Sequence, residues 1–330
     1  MKQYIRPIVP ERLLSASREF RAKRELRLDE DRLRRKQSAK RYTEDELVQL
    51  FFSLGVRSGD TLFVHSGLGV FNIVEGGPSA IVSSLLRILG ADGTLAFPAF
   101  SACGTMMNQR PSFDVRKTVS SVGALAEHFR LMPGVVRSLH PTHSICAIGS
   151  KAEWLTEGQE SRSFTFGRGT PFYKLCEARA KIMMLGVGLF PLTCVHTAED
   201  LITPTSEFMP VYRKEPLTFD MIDRSGHSCR YHGYFHSHEL VPKRDVRRMR
   251  ASFMAHNIMT ASETDYAELL LIDTQGLLLV LLTELMRGNT IYGRVYPKRR
   301  DSRKIDVTLT HLKEVCGFSL TRMPKSISPI

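Results

Sequence analysis

Between residues 43 and 200, four short apolar runs alternate with stretches of helical periodicity. The runs lie at 61–65 (TLFVH), 93–98 (GTLAFP), 144–148 (SICAI) and 182–185 (IMML), and glycine or proline bounds each of them. Runs of this length, apolar throughout and ended by turn residues, predict strands buried on both faces. The intervening helices are equally legible. Thr43 followed by Glu44, Asp45 and Glu46 predicts a capped helix over 43–54, since a hydroxyl caps free N–H groups and acids oppose the dipole. Apolar spacing predicts further helices over 79–89, over 122–130 and after Pro171. A strand, a glycine-bearing loop, a helix and a second strand over 61–98 read as a right-handed crossover unit. The fold class that follows is α/β.

In such folds the loops beyond the carboxyl ends of the strands hold the chemistry. Two of these loops stand out. After 182–185 come Gly186 and Gly188, whose backbone freedom allows a sharp turn, and then Thr193, Cys194 and His196. A cysteine two residues before a histidine admits a nucleophile–base reading, and His196 with Glu199 at i, i+3 admits a metal reading, although the HExxH pattern is absent. The other loop, 66–77, ends in Gly76, Gly77 and a proline at the helix start, where free N–H groups can cradle an anion. It has neither a Walker lysine nor a GxGxxG pattern.

Charge and composition narrow the function classes. The net charge is +12, and residues 1–42 hold 14 Lys/Arg against 6 Asp/Glu, so +8 sits in that segment and about +4 in the rest. The segment 11–41 reads as an exposed helical extension with interleaved acids. No aromatic interleaving supports base stacking there, and no nucleic-acid partner is expected. The longest apolar stretch, 277–282, is far too short for a membrane span, and residues 1–10 do not resemble a secretory signal. Six scattered cysteines without a CxxC pair fit reduced thiols and a cytoplasmic location.

Beyond Asp200 the pattern becomes β-rich. Residues 209–223 and 227–238 predict a hairpin turning at Arg224, Ser225 and Gly226. His232, His236 and His238 beside Cys229 invite a metal, but no structural zinc spacing is present and no metal is expected. Basic runs at 243–250 and 294–304 read either as a solvated face or as a surface for an anionic molecule.

The ordered motifs DTLFVHSGLGVFNIVEGG, GADGTLAFPAFS, VGALAEHFRLMPGVVRSLHPTHSICAIG and LGVGLFPLTCVHTAE resemble the aminoglycoside 3-N-acetyltransferase family, with 267–285 similar to its closing helix. The resemblance implies a three-layer α/β fold with a mixed or parallel sheet core, a smaller β-rich insertion on the acceptor side and an N-terminal helical extension. The implied organisation is a basic extension at 1–42, a transferase domain at 43–290 with the insertion at about 203–250, and a basic extension at 291–330. The implied chemistry is transfer of acetyl from acetyl-CoA to an amine of an amino sugar or aminocyclitol. By resemblance His196 is the base, Glu127 the acid working with it and Thr193 a neighbouring hydroxyl. An ammonium must lose a proton before it can attack, so a base near neutral pKa is required. Acetyl-CoA would lie along His65, Ser66, Gly67, Leu68, Val70, Phe71, Gly76 and Gly77, with Arg137, Ser138 and His140 nearby, and Glu199 and Asp200 would line the acceptor pocket. Ser66-Gly67-Leu68 and Phe71-Asn72 stand where the family usually has Ser-Ser-Leu and Phe-Gly. Because the chain is basic, a nucleotide-linked amino sugar is an alternative acceptor to a polycationic antibiotic. A non-catalytic binding module and an interaction protein working through its basic arm are the competing classes. The oligomeric state stays open, a homodimer being one reading.

Overall fold

Leu62 and Val64 pack into one apolar core and Phe63, between them, into another. The same division recurs along 182–185, where Ile182 and Met184 join Phe63 while Met183 and Leu185 join Leu62 and Val64. Successive side chains of a strand point to opposite faces, so a run without polar residues is what a sheet covered on both sides demands.

The computed structural model describes residues 41–67, 74–102, 112–202, 211–237, 243–264, 267–295 and 299–316. Residues 1–40 of the expected extension lie outside these, as do Leu68, Val70 and Phe71 of the loop expected to meet CoA. The main sheet has strands β1 (Thr61–Ser66), β2 (Thr94–Pro98), β4 (Val136–Arg137), β5 (Ile145–Gly149), β6 (Lys181–Leu185), β9 (Met259–Glu263) and β10 (Glu268–Asp273). Their order is β4-β5-β2-β1-β6-β10-β9. The central trio β2-β1-β6 is parallel and both flanks are antiparallel, giving a mixed sheet.

Helices α1 (Glu44–Leu54), α2 (Gly77–Leu89) and α3 (Ala124–Arg130) contribute to the core on one face. Helices α4 (Ala152–Thr156), α5 (Pro171–Glu177), α6 (His196–Ile202), α7 (Arg250–Ala255) and α8 (Thr274–Met286) contribute to the other. The layers are therefore α/β/α. The α1 start carries the Thr43–Glu46 capping box, so the local signal read from the sequence is realised in full.

Three features depart from the sequence expectations. Residues 101–117 read as a polar loop, yet β3 (Ser112–Asp114) pairs in parallel with β7 (Leu217–Ile222), which is antiparallel to β8 (Ser228–Gly233). Phe113 is the cause, since it is fully buried against Phe219, Met221 and Tyr231. The hairpin forms around the expected turn, with Asp223 and His227 sharing a backbone hydrogen bond, but its first strand begins at Leu217 rather than near 209. Finally, packing does not stop at 290. Helix α9 (Arg299–Cys316) buries Ile305 and Leu312 in the same core as α8, so the expected boundary cuts through a continuous apolar cluster.

Candidate active site

Strands β1 and β6 run side by side and end together, and the loops leaving them pack against each other. The N–H of Gly67 donates to Leu185 O at 3.1 Å. A Cβ at position 67 would lie 2.9 Å from Val187 Cγ1 and 3.1 Å from Gly186 O. The β6 loop thus fills the space that a side chain at position 67 would need, which fits the glycine found there. That loop turns through Gly186 and Gly188, both at positive φ, and a 3-10 turn (Thr193–Val195) then delivers His196 to the first position of α6.

His196 is almost wholly buried, at 1% exposure. Its Nδ1 lies 2.7 Å from Glu199 Oε2, one helical turn on, and its Nε2 lies 2.9 Å from Arg244 Nη1. A guanidinium can only donate, so Nε2 accepts and Nδ1 carries the proton given to Glu199. The imidazole is thus held as one tautomer. Tyr292 Oη donates to Glu199 Oε2 at 3.3 Å, and His236 Nε2 stands 3.8 Å from the same oxygen. The rings of Phe166 and His236 pack on His196 at 5.1 and 4.4 Å between centroids.

Burial sets the electrostatics. It pushes the Glu199 carboxyl up to about 7, against the pull of His236, Tyr292 and Arg244. It holds His196 well below the usual imidazole range, and the Arg244 charge adds to that shift. His236 and His143 are held down at about 3 for the same reason, burial first. All three imidazoles are neutral at physiological pH. His196, His143, His236 and Arg244 border a cleft of about 300 Å³ whose walls also include Phe100, Phe166 and Arg213. The donor atoms of His196, Glu199 and His236 lie within 4.8 Å of one another, close enough to share a metal ion. Against such an ion, Nδ1 of His196 already serves Glu199, and the Arg244 cation sits 2.9 Å from Nε2.

The model of the aminoglycoside 3-N-acetyltransferase family matches residues 63–286, more than half of the chain and the whole of the His196 turn. This chain belongs to that family. Among curated members, aminoglycoside N(3)-acetyltransferase III of Pseudomonas aeruginosa is 32% identical over 175 residues, which cover 48% of this chain and 64% of that protein. Aminoglycoside N(3)-acetyltransferase VIII of Streptomyces fradiae is 30% identical over 179 residues, covering 48% and 60%. The chain spans just under two thirds of the length of these curated relatives. Two solved family structures share its fold. AAC-IIIb in binary complex with CoASH has a TM-score of 0.61 at 23% identity over 74% of this chain and 97% of that one. AAC-VIa bound to sisomicin has a TM-score of 0.60 at 24% identity over 73% and 96%.

Within the family fold, several residues expected at the site do other work here. Glu127 does not orient His196. Its Oε2 accepts from Arg130 Nε at 2.7 Å and Ser120 N at 2.8 Å, and its Oε1 from Arg130 Nη2 at 2.6 Å. The carboxylate on His196 is Glu199. Arg137, expected to meet CoA, is buried, with its guanidinium donating to Ser144 Oγ and to the carbonyls of Val115, Thr118 and Ala99. Ser138 Oγ donates to Gln159 Oε1 and accepts from Ile145 N. His140 Nδ1 accepts the N–H groups of Thr142 and His143, which leaves Nε2 to donate to Tyr231 Oη. These three residues are buried and brace the 137–145 loop from within.

Other expected residues keep a place near the chemistry. Thr193 Oγ1 is buried without a partner, close in sequence to His196. His65, at the end of β1, is buried and neutral, with Nε2 unpartnered. Ser66 closes β1, and Gly76 and Gly77 start the 13-residue α2 with no side-chain cap. Asp200 is buried, its Oδ2 accepting from Phe166 N at 2.7 Å and its Oδ1 without a hydrogen-bond partner among the described residues. The sequence reading missed Arg244, Tyr292 and Phe166. Arg244 was visible only as one member of a basic run, Tyr292 lies beyond the family match, and no local pattern marks Phe166.

Proposed function

We propose that this protein is an acetyl-CoA-dependent N-acetyltransferase acting on an amine of an amino sugar or aminocyclitol, with His196 as general base positioned by Glu199. One observation carries the reading. A buried imidazole, fixed in one tautomer by Glu199 and with its Nε2 on Arg244 Nη1, stands in the wall of a cleft large enough for part of a sugar ring. The names of the relatives, aminoglycoside N(3)-acetyltransferases, and the CoASH and sisomicin bound by two solved members support the substrates.

In the proposed step the acceptor ammonium gives a proton to His196 Nε2, and the freed lone pair attacks the thioester carbonyl carbon. The C–N bond forms, the carbonyl electrons move onto oxygen, and collapse breaks the C–S bond. Coenzyme A leaves as thiolate and takes the proton that the imidazolium returns, while the second proton on the new amide nitrogen passes to solvent. Thr193 Oγ1, a buried hydroxyl without a partner, can donate to the transient oxyanion. Glu199 stabilises the imidazolium across the 2.7 Å contact. Both substrates are present together, and no acyl-enzyme forms. Cys194 is a poor nucleophile, because burial raises its thiol far above the usual range.

For acetyl-CoA, the structure offers the start of α2, where Gly76 in the left-handed region leads into N–H groups without a side-chain cap. A Cβ at Gly77 would meet nothing within 4 Å, so the surface there is open to a phosphate or pantetheine chain. The reading is tested by following free thiol release from acetyl-CoA with amine acceptors. His196→Ala is expected to lower kcat by on the order of 10²- to 10⁴-fold. Near-normal turnover in that variant would remove His196 from the mechanism.

A further inference from the structure

Among the described residues, the cleft in front of His196 has two guanidinium groups in its wall, Arg213 and Arg244, and no carboxylate. Burial keeps its three histidines neutral, so the formal charges in the described wall are those of the arginines. Two acids lie close by, and neither lines it. Glu199 is buried behind His196 and holds Nδ1 and Tyr292, while Asp200 is buried on the amide of Phe166. An aminoglycoside with several ammonium groups would bring like charge against this wall.

Arg244 is the more informative of the two arginines. No carboxylate reaches it among the described residues. Its Nη1 rests on the neutral Nε2 of His196 at 2.9 Å, its guanidinium lies over the Phe190 ring at 5.5 Å from the centroid, and its Nε is buried with no partner among the described residues. The buried, unused Nε–H shares an edge of the guanidinium with Nη2, opposite the Nη1 that meets His196, and that edge is set for a two-pronged bond to an oxyanion. The contact with His196 has a second consequence. It occupies the lone pair that must receive the amine proton, so Arg244 has to leave Nε2 before the base can act.

We infer that the acceptor amine belongs to a molecule that also carries an oxyanion, a carboxylate or a phosphate, and that Arg244 binds that oxyanion and in doing so releases His196 Nε2. This rests on the acetyl-transfer reading and adds the acceptor's charge to it. Recognition of the acceptor and unmasking of the base become one event, and a neutral or cationic amine would lack the group that draws Arg244 away.

The test compares acceptors that differ only in the anion. Thiol release from acetyl-CoA is measured for the full chain with glucosamine, glucosamine 6-phosphate, 2-amino-2-deoxyglucuronate and sisomicin. Calorimetry measures binding of glucosamine and glucosamine 6-phosphate without turnover. The expected result is a kcat/KM about 10- to 100-fold higher for at least one anionic sugar than for glucosamine, with sisomicin below both. The identity of the preferred sugar separates carboxylate from phosphate. Arg244→Gln is expected to bring anionic and neutral sugars to within about threefold of each other, Arg244→Lys to retain part of the preference, and melting curves to stay close to the parent's. Preference for sisomicin, or an anion preference untouched by Arg244→Gln, would overturn the inference. If no acceptor turns over yet glucosamine 6-phosphate binds more tightly than glucosamine and loses that advantage in Arg244→Gln, the anion site stands and the acetyl-transfer reading fails. Equal binding of glucosamine and glucosamine 6-phosphate, with no turnover preference for 2-amino-2-deoxyglucuronate over glucosamine, would overturn the inference.

Discussion

Helices α3 and α6 each carry an acid paired at i, i+3, Glu127 with Arg130 and His196 with Glu199, and the pairs behave in opposite ways. Glu127 is partly exposed. Its bonds to Arg130, together with the Ser120 amide, draw its pKa below the usual carboxylate range. Glu199 has a neutral imidazole as its helical partner and is buried, so desolvation dominates and its pKa rises to about 7. The same spacing thus produces a settled ion pair on one helix and a group poised near neutrality on the other. The partner's charge and access to water decide which.

The sharpest way to separate the two acids is to neutralise each in turn. Glu199→Gln removes the charge that supports the imidazolium and is expected to lower kcat by about 10²-fold, measured by thiol release with a saturating acceptor. Glu127→Gln is expected to leave kcat within about threefold of the parent. If the two results were reversed, the pairing seen in the structure would not be the one used in catalysis.

The pH profile extends the comparison. Glu199 must be ionised to hold His196 as the required tautomer and to stabilise its charged form, and its pKa is about 7. The rate is therefore expected to rise about tenfold per pH unit below 7 and to level above it, with this inflection absent in Glu199→Gln. The stability terms run in opposite directions. The folded-state pKa of Glu199 lies above its ordinary value of 4.5, so its contribution is fully present below about 4.5 and is lost as pH rises through about 7. Glu127 has a lowered pKa, so its contribution is present above the ordinary carboxylate range and is lost as acid protonates it. The smallest effect expected is on folding. Glu127→Gln should cost about 1–2 kcal/mol, seen as a lower urea midpoint near neutral pH, because it weakens a charge-assisted pair whose Arg130 side is largely buried.

The scaffold was legible because its signals are local. The apolar runs, the glycine turns and the Thr43–Glu46 capping box each depend on a few consecutive residues, and strands appear at Thr61–Ser66, Thr94–Pro98, Ile145–Gly149 and Lys181–Leu185 as those runs imply. β3 escaped notice because a three-residue strand holding one buried phenylalanine has too little periodicity to read. Arg137, Ser138 and His140 were expected at the CoA surface. A polar residue in a loop looks the same in sequence whether its hydrogen bonds go to a ligand or to neighbouring carbonyls, and here they go inward.

The sequence by itself determined that this is an α/β chain of the aminoglycoside 3-N-acetyltransferase family, and it placed His196 just past a strand end with Glu199 one helical turn away. Neighbours three residues apart on a helix meet whatever the rest of the fold does. Only the tertiary structure decided that Glu199 rather than Glu127 serves His196, that Arg244 covers Nε2 from 48 residues away, and that Tyr292 closes on Glu199 from 93 residues away. It also decided how deeply each group is buried. Burial is a property of the whole packed chain, and it places Glu199 near neutrality and leaves the charge of the cleft to its arginines.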